Sequence, residues 1–470
     1  MKALNTLLAL TAAATLTAGS ALAQTNESPK ASAPPVRDTA GVPAVPVKDT
    51  AAVPAPAPII SLFRSIDIQH LRPADQRGIN IFESPKKNDV PFTGFALSIG
   101  GAFAQEFQSV VHSNTADAKL ISGVNANQLM AISPGFNNST ANLFVNVQLA
   151  NGVRVALTSY LSARHHNEAW VKDGYLLVDA SPLNVPVLNT LMQYMTLKVG
   201  QFEVNYGDEH FRRSDNGNAI YNPFVGNLII DAMTTEVGGE VYFRSHGILA
   251  MAGVTGGESK GMVTNPTKRS AAYLAKLGFD RAVTENLRVR LTGSMYTIAK
   301  ASNNVLFSGD RAGSAYYDVL ENSTSNETSN AWSGQIQPGF GHNVTAFVVN
   351  PFVKYHGLEF FGNFETASGR SWAETDDRTW RQNAYEALYR IGAGEKFYVG
   401  GRYNTAVGRI AGATTDMSVD RVQIGGGWFV TPNVLFKLEN VDQRYMNFPT
   451  NDIRNGGKFS GLMISGVVAF

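Results

Sequence analysis

The densest run of ionisable side chains is DEHFRRSDN, residues 208–216, which places Asp208, Glu209, His210, Arg212, Arg213 and Asp215 within one short segment. Charges of both signs held at a narrow point of low dielectric can filter solutes that cross a pore. On an open surface the same residues are an ordinary solvated loop, and the run by itself fits both readings. Other chemistry is thin. His165 and His166 are adjacent, and neighbours on a strand point to opposite faces, so they cannot grip one metal ion together. Gly425-Gly426-Gly427 is followed by neither a helix signal nor a lysine and is no phosphate loop. Serine, histidine and aspartate occur at no spacing that singles out a hydrolase triad, and there is no cysteine. The expectation is therefore no metal, no cofactor and no enzyme.

The elements around this run read as strands. In NLFVNVQLA, Leu143, Val145, Val147 and Leu149 share one face, and Asn142, Asn146 and Gln148 share the other. Asn151-Gly152 follows, a strong two-residue hairpin signal, and VRVALTSYLSAR returns with the same alternation. The pattern repeats over 93–108, 138–150, 153–166, 168–180, 193–206, 234–245, 248–257, 270–282, 287–299, 343–356, 358–368, 378–391, 396–409, 417–430, 434–446 and 458–470. That makes about 16 strands. Connections at 151–152, 246–247, 284–286, 357, 392–395 and 432–433 are tight, whereas those at 207–233, 300–342 and 447–457 are long. Short at one end and long at the other is the habit of a transmembrane β-barrel. The connection at 181–192 is longer, and the one near His165 shorter, than that habit predicts.

In LRVRLTGSMY, Leu287, Val289, Leu291 and Met295 alternate with Arg288, Arg290, Thr292 and Ser294. A barrel turns the first set to lipid and the second to a wet lumen. The same alternation turns Lys198, Arg288, Arg290, Arg402, Arg421, Lys437, Glu359 and Glu365 inward, along with Lys276, Lys354, Arg390, Glu236, Glu240, Asp280, Glu386 and Glu439, a nearly neutral lining. Aromatics near strand ends, Phe397, Trp428, Phe436 and Tyr445, suggest an interfacial girdle. Strand 193–206 changes phase: Met195, Leu197 and Val199 share a face with Phe202, Val204 and Tyr206 only if Gly200-Gln201 forms a bulge. The last strand, LMISGVVAF, alternates up to Phe470, as a strand that closes a barrel against the first must.

The fold class expected is thus all-β, a transmembrane antiparallel barrel over residues 93–470. Ahead of it, residues 1–23 read as a signal peptide cleaved near Ala23, by Lys2, an uncharged stretch and Ala21-Leu22-Ala23. Residues 24–58 read as a periplasmic linker. Eight of the 20 prolines fall in 25–58, with the near-repeat PVRDTAGVPA and PVKDTAAVPA. Residues 59–92 read as a short cap or extension. With 39 basic and 38 acidic residues there is no field to attract nucleic acid.

An apolar final strand ending in Phe470 resembles the assembly signal of bacterial outer-membrane proteins, and LKVGQFEVNYGDEHFRRSDN, residues 197–216, resembles a strand-then-loop segment of the phosphate-selective porin O and P family. The specific part is Gly200-Gln201-Phe202 with Tyr206-Gly207. The resemblance implies a sixteen-strand barrel in the outer membrane, and an assembly machinery that reads Phe470. By resemblance to general porins, the 207–233 loop folds into the lumen as its constriction. The function expected is a water-filled channel for small hydrophilic solutes or ions. A phosphate- or anion-selective channel, a structural or receptor barrel and an outer-membrane hydrolase are the alternatives. Outer-membrane lipids and small hydrophilic solutes or anions are the expected partners, and a homotrimer is an open assembly.

Overall fold

The computed structural model describes residues 67–86, 90–162, 168–183, 185–259, 263–310, 314–326 and 333–470. The signal-peptide and linker readings, and His165-His166, lie outside the described residues. Sixteen long strands form the wall. They are β1 (Ala96–Ser113), β2 (Thr140–Ala150), β3 (Val153–Ser162), β4 (Glu168–Val178), β5 (Met195–Glu203), β6 (Thr235–Ser245), β7 (Ile248–Thr255) and β8 (Ala272–Ala282). Then come β9 (Leu287–Ile298), β10 (Asn343–Tyr355), β11 (Leu358–Arg370), β12 (Arg378–Ile391), β13 (Phe397–Gly408), β14 (Met417–Thr431), β15 (Val434–Met446) and β16 (Lys458–Ala469).

Each strand pairs antiparallel with its sequence neighbour, and β16 pairs with β1 from Ala102↔Ala469 to Ser113↔Lys458. The ring is closed, so no edge is left unpaired. Gly101 and Phe470 exchange backbone hydrogen bonds of 2.9 Å each way at the end of this seam. Glycine is needed within it: Gly461 has φ +154°, and a Cβ there would lie 2.2 Å from the Ser109 carbonyl oxygen. The hairpins at Asn151-Gly152 and His246-Gly247 carry the left-handed residues that tight turns demand, with Gly152 at φ +65° and His246 at φ +51°. The long connection between β4 and β5 holds a short helix, α1 (Pro186–Met192), begun by proline at its first turn.

The outward face is apolar. Leu277, Leu291, Ile424 and Leu438 are all more than half exposed, a belt that water would not tolerate and lipid would. Phe397 and Trp428 stack on this face with centroids 5.8 Å apart, near Phe436. Tyr445 departs from the girdle expectation. It points inward, buried against Phe448, and accepts from Gln443 at 2.7 Å.

The phase change expected in β5 is also absent. β5 pairs with β6 in unbroken register, Phe202 opposite Glu236, and Phe202, Val204 and Tyr206 are buried inside the barrel. Beside Val204 and Tyr206 the interior is an apolar cluster. Tyr206 packs edge-on against Tyr296 and Phe307, and the Phe202 ring lies 4.2 Å beneath the Lys198 ammonium. The irregularity falls instead on β4, where Thr158 pairs with Asp173 but Ser159 with Val171, bulging Lys172 into the interior.

Two long connections fold inward. Residues 207–233 and the described parts of 300–342 bury Val225, Ile229, Ile230, Leu306, Phe307, Tyr316 and Ile336 in one apolar cluster with the wall. Residues 67–86 pass through the opposite, tight-turn mouth.

Replacing Gly461 by valine should strain the closing seam by about 1–3 kcal/mol. The check is heat-modifiable gel migration, in which the folded band of Gly461→Val should be lost at a lower temperature than that of the parent.

Candidate functional site

The inward loop begins at a turn that only glycine suits, Gly207 at φ +74°, where a Cβ would press within 3.2 Å of Val348. Lys276 holds its carbonyl at 3.0 Å. The loop is tied across its base by Arg213, whose guanidinium makes a two-pronged pair with Asp231, at 2.7 and 2.6 Å.

Between these points the loop backbone is satisfied by the wall. Glu439 accepts from the amides of Val225 and Gly226 at 2.7 and 3.3 Å and from Tyr316 Oη at 2.6 Å. Asn404 accepts from the Ile229 amide at 2.7 Å, and Gln382 accepts from and donates to the Ile230 backbone at 2.7 and 2.8 Å. Lys437 donates to the carbonyls of Ala219, Asn222 and Phe224 at 3.0, 3.2 and 2.8 Å. Arg402 donates to the Gly226 carbonyl at 3.0 Å, and Arg421 to those of Asn227 and Gly334. Buried backbone groups require such partners, and these wall charges supply them.

All six loop residues singled out by sequence come into the barrel. Asp208 is fully buried and pairs with Lys276 at 2.7 Å and Arg290 at 2.8 Å. Burial opposes its charge, yet Lys276 and Arg290 hold the carboxyl below its ordinary range. Neither carboxylate oxygen of Glu209 accepts a hydrogen bond, and its nearest cation, Arg402, is 3.8 Å away. Burial accordingly pushes the Glu209 carboxyl up to about 7. His210 lies 3.5 Å from Glu203 and 3.0 Å from Asn205 Oδ1. Arg212 pairs with Glu386 and donates to Asn80, while Asp215 receives Lys172 and Tyr160.

The eight wall candidates also face inward, but most are matched. Lys198 sits 3.4 Å from Glu240, Arg288 is 2.7 Å from Asp280, Arg402 is 2.8 Å from Glu386 and Glu359 is 2.6 Å from Arg390. Arg421 and Lys437 find carbonyls and amides rather than acids, and Glu365 accepts from Gln382 at 3.4 Å. Asp231, Asn80, Glu83 and Lys172 escaped the sequence reading. Asp231 is 18 residues from its arginine and Glu83 is 207 from Arg290, and no local pattern reports such a pairing.

What the loops leave open is a cavity of about 240 Å³ along β2 to β6. Its lining mixes Lys172, Lys198 and Arg244 with Asp173, Glu203 and Asp215, beside Tyr175 and Tyr221. A larger recess of about 1000 Å³ opens at the tight-turn mouth between β5 and β9. Water and small polar solutes are the matter such surfaces accommodate.

No protein-family model and no curated protein matches the sequence. Among solved structures, the anion-selective porin from Comamonas acidovorans is 10% identical, covering 80% of this chain and 100% of its own, with a TM-score of 0.49. OmpT with loop L8 deleted, an outer membrane protein of Vibrio cholerae, is 11% identical over 80% of this chain and 100% of its own, with a TM-score of 0.47. OprB of Pseudomonas putida is 10% identical over 80% of this chain and 94% of its own, with a TM-score of 0.46. Similarity this low decides neither fold nor function, and both rest on the chain's own geometry.

Two outcomes follow from the site. Glu439→Ala orphans the buried amides of Val225 and Gly226, at roughly 1–3 kcal/mol each, and should open the 207–233 loop to protease in an otherwise folded barrel. Glu209 is anionic above its raised pKa and neutral below it. Lowering the pH from about 8 to about 6 should therefore move the reversal potential of any current toward anions, and Glu209→Gln should reduce that shift.

Proposed function

We propose that this chain is a bacterial outer-membrane channel for passive diffusion of small hydrophilic solutes. The observation that carries the reading is a closed sixteen-strand wall, apolar outside and charged inside, with a polar cavity beside an inward loop. By the barrel rule, the tight-turn mouth faces the periplasm and residues 207–233 form the third external loop. In this reading Asp208, Glu209, His210, Arg212, Arg213 and Asp215 make the constriction. The buried charges act as braces for backbone and for one another, which supports a channel over a hydrolase or a receptor.

Anion selectivity is a second reading with its own support. Arg244 lines the cavity and donates to the Ser84 carbonyl and to the Thr196 hydroxyl, so part of the lining's positive charge is not spent on acids. Phosphate specificity would need such cations to dominate, and the matched pairs elsewhere favour a general pore. Phe470, exposed at the closing seam, suits recognition by the assembly machinery, and a homotrimer is the assembly to test.

Planar-bilayer recording in a salt gradient tests the reading. Purified barrel should conduct, and Arg212→Ala with Arg213→Ala should shift selectivity toward cations, because Glu386 loses one of its two arginines and Asp231 loses Arg213 in a dielectric below that of water. A folded barrel without current would overturn the channel. Unchanged selectivity in the double variant would take the constriction away from this loop.

A further inference from the structure

Residues 67–86 belong to no strand, yet they run a circuit through the tight-turn mouth. Gln69 accepts from the Gly152 amide at 2.8 Å and donates to Asn151 at 3.2 Å on the β2–β3 turn. The Gln76 amide donates to the Pro432 carbonyl at 2.8 Å on the β14–β15 turn, and its side chain to the Gly394 carbonyl at 3.0 Å between β12 and β13. Asn80 then reaches Glu359 on β11 at 2.7 Å, and Glu83 reaches Lys276 on β8 at 3.2 Å and Arg290 on β9 at 2.9 Å. Ser84 receives Arg154 and Arg244, and Lys86 reaches the carbonyls of Asp179 and Met195. The strap also touches the inward loop. Phe82 packs edge-on against Phe211 at 6.0 Å, and Arg72 stacks on the Tyr221 ring at 3.6 Å.

Its position separates two spaces. The lumen cavity and the mouth recess share three lining residues, Phe82, Glu83 and Arg244, and two of these belong to the strap. Phe82 and Glu83 thus stand between the two spaces.

The way the strap is held differs from the way the inward loop is held. Most of the buried charges it touches keep a second partner without it; Arg154 is an exception, since it donates to His70 and Ser84 of the strap and its nearest acid, Asp179, is 4.0 Å away. Lys276 and Arg290 keep Asp208, Arg288 keeps Asp280, Glu359 keeps Arg390 and Arg212 keeps Glu386. Its apolar anchors are few, Phe82 between Phe211 and Phe352, with Ile68 and Ile79. Polar bonds in a wet mouth exchange readily with water, whereas removal of a strap that had sole custody of buried charges would leave them unpaired at heavy cost. Apart from Arg154, the charges at the mouth therefore stay paired when the strap leaves.

We propose that residues 67–86 are a displaceable gate across the periplasmic mouth, with Phe82 and Glu83 as its closing residues. The proposal rests on the channel reading above, and it assigns that channel's regulation to the chain's own segment ahead of the barrel.

The test compares full-length protein, a deletion of residues 67–86, and a Gln76→Cys with Pro432→Cys pair in planar bilayers. The chain has no cysteine of its own, so the pair forms the one available disulfide. The deletion should raise single-channel conductance about twofold or more, since the narrowest point sets the current. The oxidised pair should hold the smallest level seen in the parent, and reduction should restore its larger excursions. Should the deletion fail to give a heat-modifiable band, Phe82→Ala with Glu83→Gln takes its place, with the same rise expected. Equal conductance in parent and strap variants overturns the gate while leaving the channel intact. Absence of current from every folded variant overturns the channel reading, and the gate with it.

Discussion

A chain segment folded into the interior of a barrel must find partners for its amides and carbonyls there, and the wall of this protein is organised around that requirement. A barrel strand uses its own backbone groups on its neighbours, so the wall serves the inserted loop with side chains, while the second inward connection adds backbone bonds at Ile229 and Met233. Glu439, Asn404 and Gln382 accept from its amides, and Lys437, Arg402 and Arg421 donate to its carbonyls. These six come from β12 to β15, so one side of the barrel acts as a bracket and the loop lies against it. The opposite side, β2 to β6, is where the open cavity lies.

The same requirement explains why an interior rich in charge is nearly neutral. Unpaired charges in a space of reduced dielectric are costly, and paired ones with additional hydrogen bonds are tolerated. Asp208 with Lys276 and Arg290, Arg213 with Asp231, and Glu386 with Arg212 and Arg402 form such groups. Glu209 departs from this pattern. It sits among these groups without a hydrogen-bond partner, and its raised pKa is the consequence. A pore lined in this way filters by the residual field of a few incompletely matched groups rather than by a large net charge.

The outer face obeys the opposite solvent. Closure of β16 on β1 removes the last unpaired edge, which hydrocarbon would penalise at every residue. Alternation then sorts each strand, with lipid taking one face and the polar interior the other. Where the interior is filled by the apolar parts of the two inward loops, the sorting rule no longer requires a polar side chain. Tyr206 on one side, and Tyr445 on another, turn inward for that reason.

Sixteen strands, their antiparallel order, the tight and long ends, and the inward direction of the charged wall residues are all legible in the sequence. Those features depend on a period of two and on turn residues within a few positions, and local pattern reports both. It also located the charged run at 208–215. What only the tertiary structure decided was the partner of each charge. Arg213 finds Asp231, Lys172 finds Asp215 and Glu83 finds Arg290 because loop and strap are brought to the wall across the interior. The phase of β5 belongs here too, since an apolar side chain can face lipid or an apolar filling, and alternation cannot distinguish the two. The place of residues 67–86 in the mouth was likewise beyond local reading, because a segment without periodicity is positioned by the surfaces that hold it and not by its own pattern.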